Sequence, residues 1–404
     1  MPVTPKVSAR GEAMPPSPIR KLMPLAVEAK KRGVKVLHLN IGQPDLETPE
    51  PMRRRLAQLK DTVYAYSPSN GTPEYLDFLH AYYGRLGIAL KPDQVLATTG
   101  GSEALLFAFM ACADSGSEIL TVEPFYTNYR SFASMAGLTL HPIVTRGEDG
   151  FHLPGRETWE KGLTPRTRVV LLCNPNNPTG TVYSRRELLV VAEFCRDHGL
   201  FFICDEVYRE FLYDGLESVS ALSLPLFEEQ VVVVDSLSKR FSACGIRLGA
   251  LVTRNAGVAG AVSRMAQGRL SPPGLAQHIA PGALELGPDY YRGVVTEYQK
   301  RRDTLFDGLS KIPGVFLRKP EGAFYFVARL PVRDSDDFAA WLLSDFSLGG
   351  KTVMVAPASG FYVTPGLGKD EVRIAYVLRD EDLRDAVQIL AAALPVYRKA
   401  RDLD

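Results

Sequence analysis

Short apolar runs alternate with helical patterns through the central part of the chain. Between two of these runs, Leu188, Val191 and Cys195 recur at helical spacing and predict a helix over Arg185–His198. Continuously apolar strands separated by helices are typical of a parallel sheet that is covered by helices on both faces. The predicted strands are Val95–Thr98, Ile119–Val122, Leu138–Val144, Arg168–Cys173, Leu200–Cys204, Val231–Val234 and Leu248–Val252.

The C-terminal part of the chain has a different pattern, with few short strands among longer helices. This pattern is typical of a smaller α+β domain, and we expect Leu22–Arg32 and Val34–Leu39 to join it. We therefore predict a large domain over residues 46–289 and a smaller domain from residues 1–45 plus 290–404. The smaller domain's predicted elements are the strands Gly322–Arg329, Val353–Ala356 and Val372–Val377 and the helices Thr296–Leu309, Ser335–Phe346 and Asp380–Leu394.

Composition narrows the possible functions. The 404 residues are 46% hydrophobic and 23% charged, and the net charge is +1. A near-neutral chain without runs of one charge gives no basis for binding nucleic acid or an anionic membrane. The five scattered cysteines include no CxxC pair, which favours reduced thiols over a disulfide framework. The first 21 residues lack the apolar core of a signal peptide and no apolar window is long enough to cross a membrane, so we expect a cytoplasmic protein.

Candidate functional residues follow the predicted strands of the large domain. Gly100, Pro124, Asn174, Asp205 and Lys239 each come soon after one of the apolar runs. In sheets of this kind, ligands bind beyond the carboxyl ends of the strands. Together the five positions predict a binding site at one edge of the sheet.

Lys239 lies in a hydroxyl-rich turn after Val231–Val234, eight positions before Arg247. A lysine at the mouth of a buried strand is unfavourable unless its amine is neutral or paired. Capture of an aldehyde as a Schiff base satisfies that requirement. Taken alone, a surface lysine in a loop is the simpler interpretation. The motifs around Lys239 favour a lysine that forms a Schiff base with an aldehyde.

A phosphate site is predicted where two consecutive glycines, the second of them Gly101, lie between a strand and a helix expected to begin at Ala104. Paired glycines allow close backbone approach, and free N–H groups at a helix start attract anions. Ser102 and Ser236 add hydroxyl donors, and Arg247 adds a positive charge. Considered without the other residues, the two glycines are explained equally well by tight packing between the strand and the helix. The chain has neither a GxGxxG nor a GxxxxGK[ST] motif, which argues against dinucleotides and nucleoside triphosphates.

Four further residues suit a flat nitrogen-containing ring. Asp205 ends an apolar strand, and a buried aspartate needs a partner such as the protonated pyridine nitrogen of pyridoxal phosphate. Tyr208 lies three residues on, and Asn177 lies between two X-Pro steps that we expect to be extended, so either can donate to an oxygen of the ring. Tyr126 follows a strand and can stack on the ring. A turn aspartate, a turn asparagine and core tyrosines remain open as alternatives.

Arginines supply candidate substrate contacts. Arg373 is the arginine within the short apolar strand Val372–Val377, and a substrate carboxylate is its natural partner if no protein acid pairs with it. Arg269 and, more weakly, Arg20 are candidates to bind a distal carboxylate of the substrate. A surface or interface position is the simpler interpretation of Arg269. The sequence leaves the identity of the amino acid donor open.

This set of motifs resembles the pyridoxal phosphate-dependent class I/II aminotransferases of fold type I, and in particular the aspartate, aromatic and alanine aminotransferase-like enzymes. The resemblance implies an α/β fold with a mostly parallel sheet and a smaller α+β domain. It also implies transfer of the amino group of an L-amino acid to a 2-oxo acid by a ping-pong mechanism. The residues that carry it are Asn40 to Asp45, Asn176 to Gly180, Asp205-Glu-Val-Tyr208, Lys239, Arg247 and Arg373.

The resemblance also implies roles on the cofactor side. Lys239 holds the cofactor aldehyde as a Schiff base and moves a proton, and Asp205 keeps the ring nitrogen protonated. Tyr126 stacks on the ring, while Asn177 and Tyr208 hold its oxygen. The residues implied to bind the phosphate are Gly101, Ser102, Ser236 and Arg247.

On the substrate side, the resemblance implies that Arg373 binds the α-carboxylate with the help of Asn177 and the backbone of Gly42. Tyr66 matches a tyrosine that reaches the phosphate of the neighbouring subunit, which implies a homodimer with composite sites. No metal is expected. The loop over residues 358–371 does not map onto the family pattern.

Two other functions remain open at this point. A lyase of the C–S β-lyase type would use the same scaffold, and the release of pyruvate or ammonia instead of amino transfer would identify it. A pyridoxal phosphate-binding regulator would need a DNA-binding domain. The short segment before Asn40 and the near-neutral charge argue against one.

Overall fold

The computed structural model describes residues 4–403 and divides their strands among three sheets. Within this range the sheets contain seven, four and two strands. The strands are β1 Lys35–His38, β2 Val95–Thr98, β3 Glu118–Glu123, β4 Thr139–Val144, β5 Thr167–Cys173, β6 Phe201–Asp205, β7 Val231–Ser236, β8 Gly249–Thr253, β9 Phe316–Leu317, β10 Tyr325–Arg329, β11 Lys351–Met354, β12 Ala356–Pro357 and β13 Glu371–Ala375.

Helices connect and cover these strands. They are α1 Ala9–Glu12, α2 Met23–Lys31, α3 Glu50–Ala57, α4 Pro73–Arg85, α5 Gly100–Cys112, α6 Asn128–Ala136, α7 Arg156–Gly162, α8 Arg185–Asp197, α9 Leu237–Arg240, α10 Ala256–Arg269, α11 Gly274–Ile279, α12 Pro288–Leu309, α13 Ser335–Ser344 and α14 Asp380–Ala400. A capping box in which Ser184 and Glu187 satisfy each other's backbone N–H groups begins α8. The predicted helix over Arg185–His198 is thus confirmed to within one residue.

The seven-stranded sheet has the order β2-β8-β7-β6-β5-β3-β4. Six of its strands run in one direction, and β8 runs antiparallel to both β2 and β7. The prediction of a mostly parallel sheet is thus confirmed, and β8 is its one antiparallel strand. The connection from β7 to β8 contains the four-residue helix α9 and not the long crossover helix that a parallel neighbour needs, so the chain turns back beside β7.

The strands of this sheet are buried because helices cover both of its faces. The residues of β2, β3, β7 and β8 are buried along their whole length. This burial accounts for the continuously apolar runs in the sequence. The carboxyl ends of β5, β6 and β7 are neighbours in the sheet, so the residues after them share one edge.

Helix α5 begins at Gly100, earlier than the predicted start at Ala104. Gly100 has a positive φ of 71°, a conformation that glycine adopts easily and other residues rarely adopt. The two glycines and Ser102 therefore lie within the first turn of the helix and not in a loop before it. Their backbone N–H groups belong to the helix N-terminus, where no side chain caps them.

The smaller sheets combine the two ends of the chain. Strand β1 pairs in parallel with β11, so the segment near the N-terminus joins the C-terminal part. Strand β13 lies between β10 and β12 and is antiparallel to both, which places Arg373 beside Val327 and Ala356. The domain boundaries near residues 45 and 290 stay a prediction. Between residues 4 and 403, no helix is long and apolar enough to cross a membrane.

Candidate active site

A cavity of about 600 Å³ opens at the carboxyl edge of the seven-stranded sheet. It is also lined by Asn40 and Gly42 near the N-terminus and by Tyr325 on β10. Of the predicted site residues, Tyr66 does not line this cavity. Those that do are Gly42, Gly101, Ser102, Tyr126, Asn177, Asp205, Tyr208, Ser236, Lys239, Arg247 and Arg373.

Lys239 projects into the cavity from α9, the single turn that follows β7. Ser236 begins this helix, and its hydroxyl accepts a hydrogen bond from the N–H of Ser238 at 3.2 Å. The Lys239 amine donates to the carbonyl oxygen of Gly42 at 2.8 Å and lies 3.8 Å from the Cys244 sulfur. Burial lowers the pKa of Lys239, and nearby arginines lower it further. The amine is therefore more often neutral, as a nucleophile or base must be.

Asp205 is a buried carboxylate at the end of β6. It accepts hydrogen bonds from the Tyr129 hydroxyl at 2.8 Å and from the Val207 N–H at 3.3 Å. No lysine, arginine or histidine among residues 4–403 forms an ion pair with it. Burial raises the pKa of Asp205 to about 6, although the two hydrogen bonds favour the ionised form. A cation bound beside Asp205 would stabilise the ionised carboxylate and lower its pKa towards the usual aspartate value.

An anion site lies between Arg247 and the first turn of α5. A Cβ atom at Gly100 would lie 2.7 Å from Nη2 of Arg247, so glycine is required for the guanidinium to approach the helix. The backbone of Arg247 is left-handed, with φ of 55°, a strained conformation that is concentrated at functional sites. Its guanidinium makes one hydrogen bond, from Nη1 to the Cys244 carbonyl oxygen at 3.0 Å. The other N–H groups of the guanidinium are available to an anion, as is the hydroxyl of Ser102. The Ser236 hydroxyl also lines the cavity, and it donates to the Ser238 hydroxyl at 2.8 Å.

Three side chains between the strand ends and β10 can contact a flat ring. The Asn177 amide donates to the Tyr208 hydroxyl at 3.3 Å, and this hydroxyl lies 3.0 Å from that of Tyr325. The hydroxyl of Tyr126 accepts a hydrogen bond from Asn128 at 2.9 Å. The peptide bonds that precede Pro124, Pro175 and Pro178 near this site are all cis.

Arg373 is buried on β13 without an acidic partner. Its Nη1 donates to the side-chain oxygen of Asn177 at 3.2 Å, and its Nη2 donates to the carbonyl oxygen of Asn40. The guanidinium lies between two rings, 4.6 Å from the centre of Tyr325 and 5.0 Å from that of Phe361. No carboxylate within residues 4–403 pairs with Arg373, and its Nε has no hydrogen-bond partner. Its fork is thus positioned for an external carboxylate.

The loop over residues 358–371 contacts Arg373 through the ring of Phe361. Glu123, at the end of β3, is fully buried, and its Oε2 accepts hydrogen bonds from the N–H groups of Val363 at 2.7 Å and Thr364 at 3.3 Å. The N–H of Phe125 donates to the carbonyl oxygen of Phe361 at 3.0 Å. The loop is therefore attached to the large sheet at the point where Phe361 contacts Arg373.

Sequence reasoning missed several residues of the site. Tyr325 was predicted as part of a strand, and no local signal distinguishes it from the core tyrosines. A Cβ at Gly42 would overlap the Tyr325 hydroxyl, so the absence of a side chain at Gly42 leaves space for that tyrosine. Cys244 contacts Lys239, although no sequence motif marked this cysteine as a site residue. Phe361 lies in the loop that did not map onto the family pattern.

The structure also separates two candidates from the cavity. Arg269 forms an ion pair with Glu103 at 3.0 Å and donates to the carbonyl oxygen of Ser69 at 2.9 Å, so it is not available to a substrate bound by the same chain. Tyr66 is 80% exposed. Its predicted partner is a neighbouring subunit, which the single chain does not contain.

The residues present fit pyridoxal phosphate. Asp205 lacks a cation, Lys239 is a buried amine, and Arg247 with the uncapped start of α5 forms an anion site. Each of these features corresponds to one part of the cofactor: the ring nitrogen, the aldehyde and the phosphate. Among residues 4–403, no group of three or more histidine, cysteine, aspartate or glutamate side chains is arranged to hold a metal ion.

Comparison with known proteins agrees with this geometry. The model of the family "Aminotransferase class I and II" matches residues 34–390. A probable aspartate/prephenate aminotransferase of Aquifex aeolicus is 31% identical over 96% of this chain and 98% of its own. An aspartate aminotransferase from Thermus thermophilus with maleate is 30% identical, with a TM-score of 0.87 over 97% of this chain and 100% of that chain. An alanine aminotransferase from Pyrococcus furiosus is 29% identical, with a TM-score of 0.88 and the same coverage.

The chain therefore belongs to the class I and II aminotransferases. It has the fold of this family, and it is a pyridoxal phosphate-dependent enzyme that transfers amino groups between amino acids and oxo acids. The fold class, the cofactor and the type of reaction predicted from the sequence are confirmed. Nothing in the comparisons favours the C–S β-lyase alternative.

Proposed function

We propose that the cavity around Lys239 is the active site and that amino transfer occurs there in two half-reactions. Pyridoxal phosphate, when bound, would carry the amino group from an amino acid to a 2-oxo acid. One observation carries the proposal. The buried amine of Lys239 and the Asp205 carboxylate, which lacks a cationic partner, open into one cavity. The guanidinium groups of Arg247 and Arg373, which lack acidic partners among residues 4–403, line the same cavity.

Lys239 is the proposed attachment point and proton carrier. When bound, pyridoxal phosphate supplies an aldehyde that accepts the amino group and a ring that stabilises negative charge at the substrate carbon. Burial lowers the pKa of Lys239, which makes its Nζ a better match for accepting and returning a proton. The carbonyl oxygen of Gly42 accepts a hydrogen bond from this Nζ and orients it.

Asp205 and its neighbours are the proposed ring site. An ionised Asp205 would hold a proton on the ring nitrogen, and the Tyr129 hydroxyl keeps the carboxylate oriented. Asn177 and Tyr208 would donate to the ring oxygen, and Tyr126 would cover the face of the ring. The proposed phosphate site comprises Gly101, Ser102, Ser236 and Arg247.

Arg373 is the proposed site for the substrate α-carboxylate. Two parallel N–H···O bonds from a guanidinium fix both the position and the plane of a carboxylate. Asn177 and the backbone at Gly42 complete this site. Fixing the carboxylate also fixes which bond at the substrate carbon is exposed to Lys239. Arg373 therefore orients the substrate without taking part in proton transfer.

A homodimer with composite sites is the proposed functional unit. Val63, Tyr64 and Tyr66 are 75%, 71% and 80% exposed in the single chain, an unusual exposure for three apolar side chains so close together. We propose that a second copy buries this segment and that Tyr66 then reaches the phosphate bound by its partner. Sedimentation velocity tests the assembly. Tyr66→Phe should weaken cofactor binding while the dimer persists, because one hydrogen bond is lost.

A cytoplasmic location is also proposed for this enzyme. The cysteines among the described residues are all free thiols, and four of them are buried. Reduced thiols are typical of cytosolic proteins. Fractionation of cells that produce the protein, followed by immunoblotting, would test the location.

Trapping the cofactor tests the assignment of the site. Borohydride reduction of the protein incubated with pyridoxal phosphate should attach the cofactor to the peptide that contains Lys239, as peptide mass spectrometry would show. Protein without added cofactor is the control. Attachment to other lysines only, or no attachment, would contradict the proposed active site. Conversion of bound cofactor on adding an amino acid, followed by absorbance, then measures the first half-reaction.

A further inference from the structure

The charges that line the cavity do not balance once the proposed roles are assigned. In the described part of the chain, four cationic side chains line it: Arg20, Lys239, Arg247 and Arg373. One carboxylate, Asp205, opposes them. Under the proposed function, Lys239 holds the cofactor, Arg247 its phosphate and Arg373 the α-carboxylate. Arg20 remains without a role and without a counter-charge.

The guanidinium of Arg20 has no partner within residues 4–403. No hydrogen bond or ion pair involves its side chain, whereas the adjacent Lys21 pairs with Asp336. Arg269, the other candidate for a distal carboxylate, is paired with Glu103 and lies outside the lining of the cavity. In the single chain, Arg20 is thus the arginine available to a second acidic group of the substrate.

The segment that carries Arg20 is held in place on both sides. The Asn40 side chain donates to the carbonyl oxygen of Ile19 at 3.3 Å. Pro18 packs on Gly360 so closely that a Cβ there would lie 2.3 Å from the proline ring. On the other side, Leu22 is buried and α2 begins at Met23. These contacts hold the backbone on both sides of Arg20, whose side chain is exposed, so binding an anion costs little ordering of the backbone.

The surroundings of Arg20 suit a substrate with an apolar spacer before its second acidic group. Ile19 and Met23 flank Arg20 and line the same cavity with apolar side chains. The charge of Arg20 acts on the Tyr126 hydroxyl in the same direction as those of Arg373 and Arg247, although burial raises the pKa of Tyr126 overall. Arg20 is therefore within electrostatic reach of the proposed ring site.

We propose that Arg20 binds the distal carboxylate of the substrate, so that the enzyme prefers acidic amino acids and their dicarboxylic oxo acids to neutral ones. This inference rests on the proposed function, because it takes Arg373 as the site of the α-carboxylate. It makes Arg20 a residue that determines specificity and gives it no part in the chemical step.

Binding of unreactive acids to the holoenzyme tests the inference without turnover. Succinate and butyrate have the same number of carbons and differ by one carboxylate. Calorimetry should show that Arg20→Ala weakens succinate binding by up to roughly 10- to 150-fold, the range for loss of a charged hydrogen bond, and leaves butyrate binding within about twofold. Arg20→Lys should restore part of the succinate affinity because it keeps the charge. Lys31→Ala removes an exposed charge on α2 that pairs with Glu28, and it is the matched control.

Steady-state kinetics supply a second readout. In Arg20→Ala, KM for glutamate or aspartate should rise by a similar factor, while the kinetics with alanine stay close to wild type. Equal losses with acidic and neutral substrates, or no loss with either, would overturn the proposal, as would a wild-type enzyme that binds butyrate as tightly as succinate. If the proposed function itself is wrong, Lys239 will not be labelled after borohydride reduction, an outcome that does not depend on Arg20.

Discussion

The cofactor side and the substrate side of the cavity are built in different ways. The proposed cofactor residues Asp205, Ser236 and Lys239 come from the ends of adjacent strands β6 and β7 in one sheet. Arg373, by contrast, contacts Asn177 and Asn40, which are 196 and 333 positions away in the chain. The first group is held by a buried sheet, and the second by packing between distant segments.

This difference has a functional consequence. A rigid sheet edge keeps the residues for the shared chemistry at constant positions, whatever the substrate. The substrate side consists of the segment around Arg20, the strand β13 and the loop over residues 358–371. These parts can change in sequence without disturbing the sheet. We expect variants on the cofactor side to affect all substrates through the rate, and variants on the substrate side to act mainly through KM.

The largest effect is expected for Lys239→Ala, on the cofactor side. Turnover should be abolished, since both the attachment point and the proton carrier are lost, and proton transfer alone contributes about 10²–10⁴-fold. Circular dichroism should show an intact fold. Lys311→Ala, which removes an exposed lysine outside the cavity, is the control and should be fully active. A Lys239→Ala enzyme with substantial amino transfer would contradict the assignment.

On the cofactor side, Asp205→Asn should have opposite effects on stability and on activity. The pKa of about 6 in the folded, cofactor-free protein exceeds the usual aspartate value of about 3.9, so the folded state binds more protons than the unfolded chain between these values. Stability that is present near pH 4 is therefore lost as the pH rises through about 6. The loss amounts to roughly 3 kcal/mol.

Urea unfolding of cofactor-free Asp205→Asn across pH 4–8 checks this expectation. Asparagine does not ionise, so the variant should be more stable than wild type at pH 8 and should lack this part of the pH dependence. The same variant should bind the cofactor weakly and lose most activity. A wild-type protein whose stability does not fall between pH 4 and 7 relative to Asp205→Asn would argue against the raised pKa.

On the substrate side, Arg373→Ala should raise KM for all amino acids. Loss of a charged hydrogen bond costs about 1.5–3 kcal/mol, equivalent to roughly 10- to 150-fold in kcat/KM. Arg373→Lys keeps the charge but loses the fork, so we expect partial recovery. Kinetics with one acidic and one neutral substrate make the measurement. A loss confined to acidic substrates would assign Arg373 to the distal carboxylate instead.

A smaller effect is expected at Glu123, which links the two sides. Glu123→Ala removes the acceptor for the N–H groups of Val363 and Thr364 and frees the loop under Arg373. We expect kcat/KM to fall about tenfold or less through KM, because Arg373 keeps its contacts with Asn177 and Asn40. Glu123→Gln retains an acceptor oxygen and should restore most of the activity. Glu148→Gln, at an exposed glutamate, is the control; a kcat effect without a KM effect would refute the positioning role.

Much of the cofactor side could be predicted from the sequence because its signals are local. Apolar runs mark the buried strands, and Asn174, Asp205 and Lys239, which follow three of these runs, were predicted to lie at one edge of the sheet. The direction of β8 could not be obtained in the same way, since antiparallel and parallel buried strands have the same apolar pattern.

The substrate side was less accessible to sequence reasoning. Arg373 was identified because an arginine in an apolar strand needs an acid, but its stacking between Tyr325 and Phe361 depends on residues far apart in the chain. Arg20 and Arg269 were similar as sequence positions. Packing gave Arg269 a partner in Glu103 and left Arg20 without one.

The sequence alone thus indicated the fold class through its apolar runs and a pyridoxal phosphate site through its strand-end residues, because both are local properties of the chain. The type of reaction followed from the resemblance of these motifs to the class I/II aminotransferases. Tertiary structure decided which arginine is free, what supports Arg373 and how the loop over residues 358–371 meets Glu123. Those outcomes depend on which distant segments pack together and which charges are neutralised when they do. Pairing of buried charges is a property of the folded molecule, and no spacing along the chain encodes it.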